Sequence, residues 1–275
     1  MDAIVSALWV YPVKSCKGIA VDRCAVDLRG LRSDRRWMII DDQGVFVTQR
    51  TAPRLALVRV VLDADTLEMR APEGGALRVP TALPPSSPRR RVRIWRDEVD
   101  AVDCGPDAAR WISHWVGQPA SLVFMPDDVR RQVKPAYALP DDIVGFADSF
   151  PLLIASTSSL GDLNARISAG SPNGAPALPM DRFRPNVVVS DCAPWEEDTW
   201  KRISLGGLTV RVAKPCERCV ITTTDQETAA RGVEPLRTLA KFRRRDNDVL
   251  FAQNAVPDAP GSIAVGDAVT VLERS

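Results

Sequence analysis

Short hydrophobic stretches separated by turn residues dominate the first hundred residues of the chain. They are rich in Val and Ile, and their shortness and composition are typical of β-strands. We predict strands over 3–10, 19–27, 36–40, 45–48, 55–62, 67–70, 77–80, 92–95 and 99–104. Residues 41–44 and 72–75 have the composition of hairpin turns. The first half is therefore predicted to be mainly antiparallel β-structure.

The second half mixes strands with a few helices. Apolar spacing predicts a helix over 107–116, and Ser159 with Asp162 has the pattern of a capping box that opens a helix to about 167. Further strands are predicted over 120–125, 151–155, 186–190, 202–205, 208–213, 220–224, 249–252 and 262–273, with a helix over 234–242. Polar, proline-bearing stretches at 126–145 and 168–180 are predicted to be long loops, which in compact proteins often serve function.

The order of these elements indicates an α+β protein that is predominantly β, with two barrel-like parts. Strands and helices do not alternate as they do in parallel α/β folds, and the glycine motifs of dinucleotide-binding, P-loop and α/β-hydrolase proteins are missing from the sequence. We predict a first domain over residues 1–120 and a second over residues 121–275.

Composition narrows the class of protein. The 275 residues are 45% hydrophobic and 26% charged, which is typical of a protein with its own core, and the net charge of +1 gives no field that attracts nucleic acid or an anionic membrane. The N-terminal stretch does not have the basic start of a signal peptide, and its apolar runs are short. We therefore expect a cytoplasmic protein with no nucleic-acid or membrane partner.

Six cysteines and one histidine limit the candidate chemistry. In a chain that builds its own core in the cytosol we expect the cysteines to be free thiols: Cys16, Cys24, Cys104, Cys192, Cys216 and Cys219. His114 lies off the apolar stripe of its predicted helix, which indicates a surface position. A single histidine excludes a histidine-rich metal site and disfavours mechanisms that need a histidine base.

The KPCERC stretch at 214–219 contains a C-x-x-C pair, and its spacing leaves several interpretations open. Structural zinc requires four ligands, and a redox dithiol precedes a helix, whereas a β-type run follows Cys219. Two buried structural thiols are the plainest alternative. Against it, Glu217 and Arg218 indicate an exposed loop, and Arg218 favours a thiolate at one of the cysteines. A single thiolate is a good ligand for a soft or high-valent metal whose other ligands come from an organic cofactor.

Six stretches in this order resemble the MOSC-domain proteins that carry an N-terminal β-barrel domain, a family that includes the bacterial YcbX-type proteins and the mitochondrial amidoxime-reducing component. They are WVYPVKSCKG (9–18), LRSDRRW (31–37), FADSFP (146–151), FRPN (183–186), KPCERC (214–219) and FAQN (251–254). The resemblance covers nearly the whole chain. It implies an N-terminal MOSC β-barrel domain followed by a MOSC domain.

The resemblance implies a molybdenum cofactor, a molybdopterin that carries the metal on its dithiolene. Cys219 is then the protein's sulfur ligand, and Cys216 has no ligand role. The residues implied to hold the pterin and its phosphate are Lys14, Ser15, Arg35, Ser149, Arg184, Asn186 and Arg218. Asp148 matches the family's acid beside the metal, where a carboxylate can relay a proton to a leaving hydroxide.

Two positions depart from the family pattern. Relatives often carry serine where this chain has Glu217, and Phe150 replaces a small residue of the mitochondrial relatives. A negative charge at Glu217 either weakens the binding of an anionic cofactor or turns outward. Roles are least safely transferred at these two positions.

The implied activity is reduction of N-hydroxylated compounds, such as hydroxylamines, amidoximes and N-hydroxylated bases, to their amines. No cysteine follows Cys219, so the C-terminal plant-type [2Fe–2S] domain of some bacterial relatives is not expected. Electrons must then come from a separate reductase or from an iron–sulfur or flavin carrier. The loops at 126–145 and 168–180 are expected to border the substrate entrance.

Three alternatives stay open. MOSC domains also occur on molybdenum-cofactor sulfurases, so the chain could transfer sulfur through a persulfide. It could instead carry the cofactor to other enzymes, or be a two-domain β protein with buried structural cysteines. Metal content separates the last alternative from the others.

Overall fold

The computed structural model describes residues 3–171 and 174–275, and this part of the chain is built mainly from strands, which confirms the predicted predominantly β, α+β class. Strands β1 to β10 are Ile4–Val10, Ile19–Val21, Arg23–Asp27, Gly30–Leu31, Trp37–Asp41, Arg59–Leu62, Thr66–Arg70, Ala76–Pro80, Arg89–Ile94 and Asp97–Asp103. Strands β11 to β19 are Ala120–Phe124, Leu152–Ser156, Val187–Ser190, Trp200–Leu205, Leu208–Glu217, Arg244–Arg245, Asp248–Pro257, Gly261–Ala264 and Val269–Arg274. Helices α1 to α3 are Pro106–Val116, Thr157–Ala169 and Leu236–Phe242.

The largest sheet has the strand order β19-β14-β15-β17-β12-β13-β1-β2, with β16 paired to β17. Its strand pairs are antiparallel apart from β12 with β13. The backbone N–H of Val5 donates to the carbonyl of Asp267 at 2.9 Å, and that of Val269 donates to Ala3 at 2.7 Å. These bonds join β1 to the start of β19, so the sheet curls into a barrel, as the sequence predicted.

The interior of this barrel explains why β12 and β13 are almost continuously apolar. Ile154 and Val187 are fully buried among the residues that fill the barrel, while Ala155 packs outward with α2 and α3. A strand covered on both faces needs apolar residues at successive positions. Helix α2 begins earlier than expected, because Ser156, rather than Ser159, accepts hydrogen bonds from the backbone N–H groups of the first turn.

The barrel is the second unit, and the first unit, built from the first half of the chain, combines two small sheets with α1. Their orders are β5-β11-β10-β9 and β6-β7-β8, and α1 packs on β11 and β8. Pro106 occupies the first turn of α1, and Gly117 ends the helix with a left-handed φ of 77°. Ile112 and Trp115 point into the core of this unit, whereas His114 is exposed, which confirms its predicted surface position.

The two units exchange elements near their ends. Strand β1 belongs to the barrel of the second half, and β3 pairs with β18 near the C-terminus. Strand β11, at the predicted division, pairs with β5 and β10 of the first half. The segments 11–16 and 125–151 therefore cross between the units, and they cross at the same cleft.

Three strand predictions were wrong, because local contacts replace the expected strand over all or part of each segment. Residues 220–224 form a short 3-10 turn, Val220–Thr223, because the hydroxyls of Thr222 and Thr223 donate back to the carbonyls of Cys219 and Val220 at 2.9 and 2.8 Å. Residues 45–48 make isolated bridges only. Residues 55–62 split into a 3-10 turn, Pro53–Leu57, and β6.

Two further observations concern the second predicted loop and the lengths of the helices. The loop predicted over 168–180 includes residues 172–173, which lie outside the described residues, and its remaining part is tied to Asn164 of α2 through Leu178. Among residues 3–171 and 174–275, no helix combines the length and the apolar character that crossing a bilayer requires.

Candidate functional site

The turn that follows β1 forms the floor of the cleft between the two units. The backbone N–H of Lys14 donates to the carbonyl of Trp37 at 2.9 Å, which ties this turn to β5. Ser15 has a left-handed φ of 71°, and its carbonyl accepts a 2.8 Å hydrogen bond from the buried amide of Gln49. Both predicted cofactor residues of this turn, Lys14 and Ser15, therefore lie at the crossing between the units.

Lys14 and Asp148 form an ion pair on this floor. The Lys14 ammonium is almost fully buried and donates to Asp148 at 2.5 Å and to the carbonyl of Phe146 at 2.7 Å. Burial lowers the pKa of Lys14 from 10.5 to about 8, although Asp148 opposes the change. Burial alone would raise the pKa of Asp148, but the charges of Lys14 and Arg50 hold it well below its usual range. At neutral pH Asp148 is ionised, and the pair's proton resides on Lys14.

Arg50, which the sequence analysis did not single out, covers this pair from the first unit. Its guanidinium donates to the sulfur of Cys219 at 3.2 Å and to Asp148 at 3.4 Å. It also lies 4.7 Å from the ring centroid of Trp95. The indole N–H of Trp95 donates to Asp148 at 3.3 Å. The first unit thus supplies two side chains that close over the carboxylate and the predicted metal ligand.

The two cysteines of KPCERC have different surroundings. Strand β15 runs through Cys216 to Glu217, so this part is a strand end and not the loop that was predicted. The Cys216 sulfur accepts a hydrogen bond from Arg218 at 3.0 Å, and burial raises its thiol pKa despite that charge. Cys219 lies beyond the strand and faces Arg50 instead. Both thiols are free, and the pair is divided between two arginines.

A stack of two arginines on one tyrosine forms the inner wall. The guanidinium carbons of Arg35 and Arg184 each lie 4.3 Å from the ring centroid of Tyr11. Burial raises the pKa of Tyr11 to about 12, so the ring stays neutral. Arg35 also donates to Asp34 at 2.6 Å and to the side-chain oxygen of Asn186 at 3.1 Å. Both arginines have positive φ values, 46° and 56°, which is rare for residues with a side chain.

Asn186 supports the site and does not face the cleft with a free amide. Its oxygen accepts from Arg35 and from the backbone N–H of Leu153, and its nitrogen donates to the carbonyl of Trp9 at 3.2 Å. These bonds join β1, β12 and β13 behind Arg35. That Asn186 contacts a cofactor remains a prediction. In this structure the hydrogen bonds of Asn186 orient Arg35.

Three further residues near the Lys14–Asp148 pair have different surroundings. Ser149 is exposed and follows Asp148 directly in the chain. Phe150 is 6% exposed and packs in a small core with Val133 and Val256, so it fills the fold. Glu217 is exposed and pairs with Lys214, so its charge is directed at a lysine, in line with the outward orientation considered above.

Arg131 shapes the Asp148 loop and was also missed. Its buried guanidinium donates to the carbonyls of Gly145, Ala147 and Asp148 at 2.9, 2.6 and 3.0 Å, and to Asp97 of the first unit at 2.7 Å. Arg131 lies in the loop over 126–145, whose length was the available signal. That loop contributes to the site from below, by fixing the backbone on which Asp148 stands.

These residues suit an anionic ligand that carries a metal, because the Cys219 sulfur can bind that metal. In the part of the chain that the structure describes, one nitrogen on each of Arg50, Arg184 and Arg218 is buried without a hydrogen-bond partner. Buried charged donors are normally paired, so three unpaired ones around one cleft suit a ligand with several acceptor oxygens. Among the same described residues, no group of three or more His, Cys, Asp or Glu side chains is placed to hold a metal. A metal at Cys219 would therefore need ligands from the cofactor itself.

Comparison with known proteins finds two family models along the chain. Residues 2–119 match the MOSC N-terminal beta barrel domain, and residues 141–270 match the MOSC domain. The chain is 35% identical over 286 residues to mitochondrial amidoxime-reducing component 1 of Homo sapiens, covering 98% of this chain and 82% of that protein. It is 34% identical to component 2 of Homo sapiens, with 96% and 82% covered, and 30% identical to component 1 of Xenopus laevis, with 98% and 82% covered.

Proposed function

We propose a function for this chain from one premise: it belongs to the family of two-domain MOSC proteins that includes the amidoxime-reducing components. The proposed activity is the molybdenum-cofactor-dependent reduction of N-hydroxylated compounds to the corresponding amines or amidines. The observation that carries it is the cleft between the units, where one free thiol, Cys219, lies beside an ionised carboxylate and several unpaired guanidinium nitrogens.

The proposed reaction consumes two electrons and two protons: the N–O bond of the substrate breaks, the nitrogen gains one proton, and the hydroxyl oxygen takes the other and leaves as water. When bound, the cofactor supplies the two electrons and a Lewis acid that weakens the N–O bond. The electrons enter from a separate flavin or iron–sulfur carrier. We propose that the protein acts in the cytoplasm.

The residues that would hold the cofactor follow from their positions. Cys219 would provide the sulfur ligand from the protein. Arg184 and Arg218 would pair with anionic oxygens through their unpaired nitrogens, and Arg35 would do so from the same wall. Ser15 and Ser149 would donate hydroxyl hydrogen bonds at either side of Lys14. These assignments agree with the donor chemistry that a phosphate and a pterin require.

The proton source in this proposal is Lys14, with Asp148 as the relay. Asp148 is ionised by its neighbours and cannot begin as an acid, whereas Lys14 has a pKa of about 8, close to working pH. The 2.5 Å contact lets Asp148 accept a proton from Lys14 and then pass it to the leaving oxygen. Arg131 holds the loop so that this geometry persists.

The function is tested by replacing each cysteine of KPCERC. We expect wild-type protein, produced in a host that makes the cofactor, to contain molybdenum and to reduce benzamidoxime with a chemical or enzymatic electron donor. Cys219→Ala should abolish that activity. Cys216→Ala should keep most of it, because the Cys216 thiol contacts Arg218 and the carbonyl of Glu217, whereas Arg50 contacts Cys219. Retention of activity and molybdenum by both variants would show the assignment to be wrong.

Two alternative functions of the site are distinguished with the same preparation. If the protein transfers sulfur, Cys219 should carry a persulfide visible by mass spectrometry, without metal-dependent turnover. If it delivers the cofactor, molybdopterin should pass to an apo-enzyme in stoichiometric amount while hydroxylamines remain unreduced. The carboxylate and arginine beside Cys219 favour the reductase, because neither sulfur transfer nor delivery requires a proton relay at the metal.

A further inference from the structure

Arg50 is the side chain at the cleft to which neither the family motifs nor the proposed cofactor set gives a role. It comes from the first unit and reaches across to both chemical groups of the second, the Cys219 sulfur and the Asp148 carboxylate. The face of Trp95 supports its guanidinium from the other side. A side chain that links the metal ligand and the proton relay is placed where the substrate must react.

The two terminal nitrogens of Arg50 are used unequally. Nη2 makes both contacts, to Cys219 and to Asp148. Nη1 is buried and has no hydrogen-bond partner among residues 3–171 and 174–275. A buried charged donor without a partner destabilises the protein. This N–H is therefore available to an acceptor that arrives with a ligand.

The backbone of Arg50 is fixed from behind. The guanidinium of Arg231 donates to the carbonyls of Gln49 and Arg50 at 2.5 and 2.6 Å. Gln49 is fully buried and exchanges hydrogen bonds with Gln226 at 3.1 Å. Contacts from the second unit thus hold the base of Arg50, and its guanidinium is pre-organised at the cleft and need not be ordered by the ligand.

The groups that surround the Arg50 guanidinium indicate which kind of ligand atom Nη1 would bind. A metal held by the Cys219 sulfur would lie next to the atom that accepts from Arg50, and a substrate oxygen bound there would have the Arg50 guanidinium and the Asp148 carboxylate as neighbours. The oxygen of an N–OH group is a hydrogen-bond acceptor, whereas the reduced amine has no oxygen to offer.

We propose that Arg50 binds the N–O oxygen of the substrate through Nη1. This inference rests on the proposed function and adds the group that distinguishes an N-hydroxylated substrate from its reduced product. Arg50 acts here as a hydrogen-bond donor. It stabilises the oxygen as the N–O bond breaks and negative charge develops. Two protons arrive by the Lys14–Asp148 route: one converts the leaving hydroxide into water, and the other goes to the nitrogen.

The test compares two neutral ligands that differ by one oxygen. Phenylhydroxylamine and aniline are titrated into cofactor-loaded protein without an electron donor, so binding is measured without turnover. Arg50→Gln should weaken phenylhydroxylamine binding by about tenfold or more, which corresponds to one lost hydrogen bond from a charged donor. Aniline binding should change by less than about twofold. Arg50→Lys, which keeps the charge but not the planar pair of donors, should lose an intermediate amount.

Arg96→Gln is the matched control, because Arg96 is an exposed arginine next to Trp95 and its removal changes the charge equally. It should leave both affinities unchanged. All values are normalised to bound molybdenum, and thermal unfolding checks the fold of each variant.

Equal weakening of both ligands in Arg50→Gln and Arg50→Lys, or no weakening of either, would overturn the role of Arg50. Loss of the cofactor from both variants while Arg96→Gln stays loaded would also overturn it, since Arg50 would then serve the cofactor. The proposed function fails separately, if wild-type protein with bound molybdenum and a competent electron donor does not reduce phenylhydroxylamine.

Discussion

Two charged grooves differ in how their arginines are paired. One lies beside β14 and β15 and encloses about 700 Å³. In it Arg211 donates to Asp142 and to Asp258, each at 2.7 Å, and Arg202 donates to Asp258 at 2.6 Å. The other is the cleft between the units. There Arg50, like two further arginines, keeps a buried nitrogen with no partner in the described part of the chain.

The difference separates a groove whose cations are already paired from a cleft whose cations are not, so the pairing of charges, and not the size of a cavity, makes the cleft the candidate ligand site. In the groove at β14 and β15, carboxylates of the protein already satisfy the cations, so an anionic ligand would have to displace them. In the cleft, the protein has placed more cationic donors than its own acceptors use. The predictions below test whether this contrast governs function, from the largest expected effect to the smallest.

The carboxylates of the two grooves should differ most. Asp148→Asn is expected to lower the turnover number for benzamidoxime by about 10²-fold or more, because general acid–base groups contribute at least that factor. Asp258→Asn removes a comparable ion-paired carboxylate and should leave turnover unchanged. Steady-state kinetics per bound molybdenum measures both. Equal losses in the two variants would mean that the contrast reflects folding and not chemistry.

The arginines should differ in cofactor retention. Arg184→Gln and Arg218→Gln are each expected to reduce bound molybdenum by about tenfold, since each removes a charged donor to an anionic group. Arg202→Gln and Arg211→Gln break ion pairs of the other groove and should retain wild-type molybdenum. Elemental analysis and pterin fluorescence after release report the content. Full loading of the first two variants would contradict the cleft as the cofactor site.

Alkaline pH should affect the cleft through Lys14. Below a pKa of about 8 Lys14 is protonated, and above it the proton is lost. Turnover by cofactor-loaded protein should therefore fall as pH rises through about 8, by up to about tenfold per pH unit. Lys14→Gln should be slow and lack this step. Lys17→Gln, which removes a lysine paired with Glu227, should keep the wild-type profile; a step that persists in Lys14→Gln would exclude Lys14 as its source.

Glu197 has an unpaired buried atom that lies outside the cleft. We expect this atom to affect stability and not activity. Glu197 is fully buried, one of its oxygens is unpartnered among the described residues, and burial raises its pKa to about 7. Since the unfolded chain loses this proton at lower pH, stability falls as pH rises from about 4.5 to 7 and stays lower above it. Glu197→Gln does not titrate and should be more stable by roughly 3 kcal/mol at pH 8.

Molybdenum content and turnover are the control measurements for Glu197→Gln. Glu197 lies at α2, where Ser159 donates to it at 2.8 Å, so molybdenum content and turnover should be unaltered in Glu197→Gln. Chemical denaturation at about pH 5 and pH 8 measures the stability difference, which should nearly vanish at the lower pH. A loss of molybdenum in this variant would mean that unpaired buried groups outside the cleft also affect the cofactor site.

Several site residues were predictable because their local sequence is unusual. Lys14 and Ser15 follow a strand at a proline turn, and Arg184 precedes a proline and adopts a positive φ. Such stretches fix the backbone locally and therefore leave recognisable motifs. The structure brings these predicted residues to one cleft together with Asp148 and Cys219.

Arg50 and Arg131 were not predictable in the same way. Each acts through contacts between segments distant in the chain: Arg50 with Cys219, and Arg131 with Asp97. A surface arginine and a bridging arginine look alike in sequence. Val220–Thr223 shows the same limit for backbone, since threonines suit a strand until their hydroxyls find carbonyls within a turn.

The sequence by itself determined the class of fold and the two β-rich parts, because short apolar strands and local turn motifs depend on neighbouring residues. The family resemblance singled out Cys219 and the candidate cofactor residues. Tertiary structure decided what surrounds each cysteine of KPCERC. Cys216 and Cys219 are three positions apart, yet one ends against Arg218 and the other against Arg50 from a different unit. The distinction depends on which arginine the folded chain brings to each sulfur, and local sequence does not encode that distance.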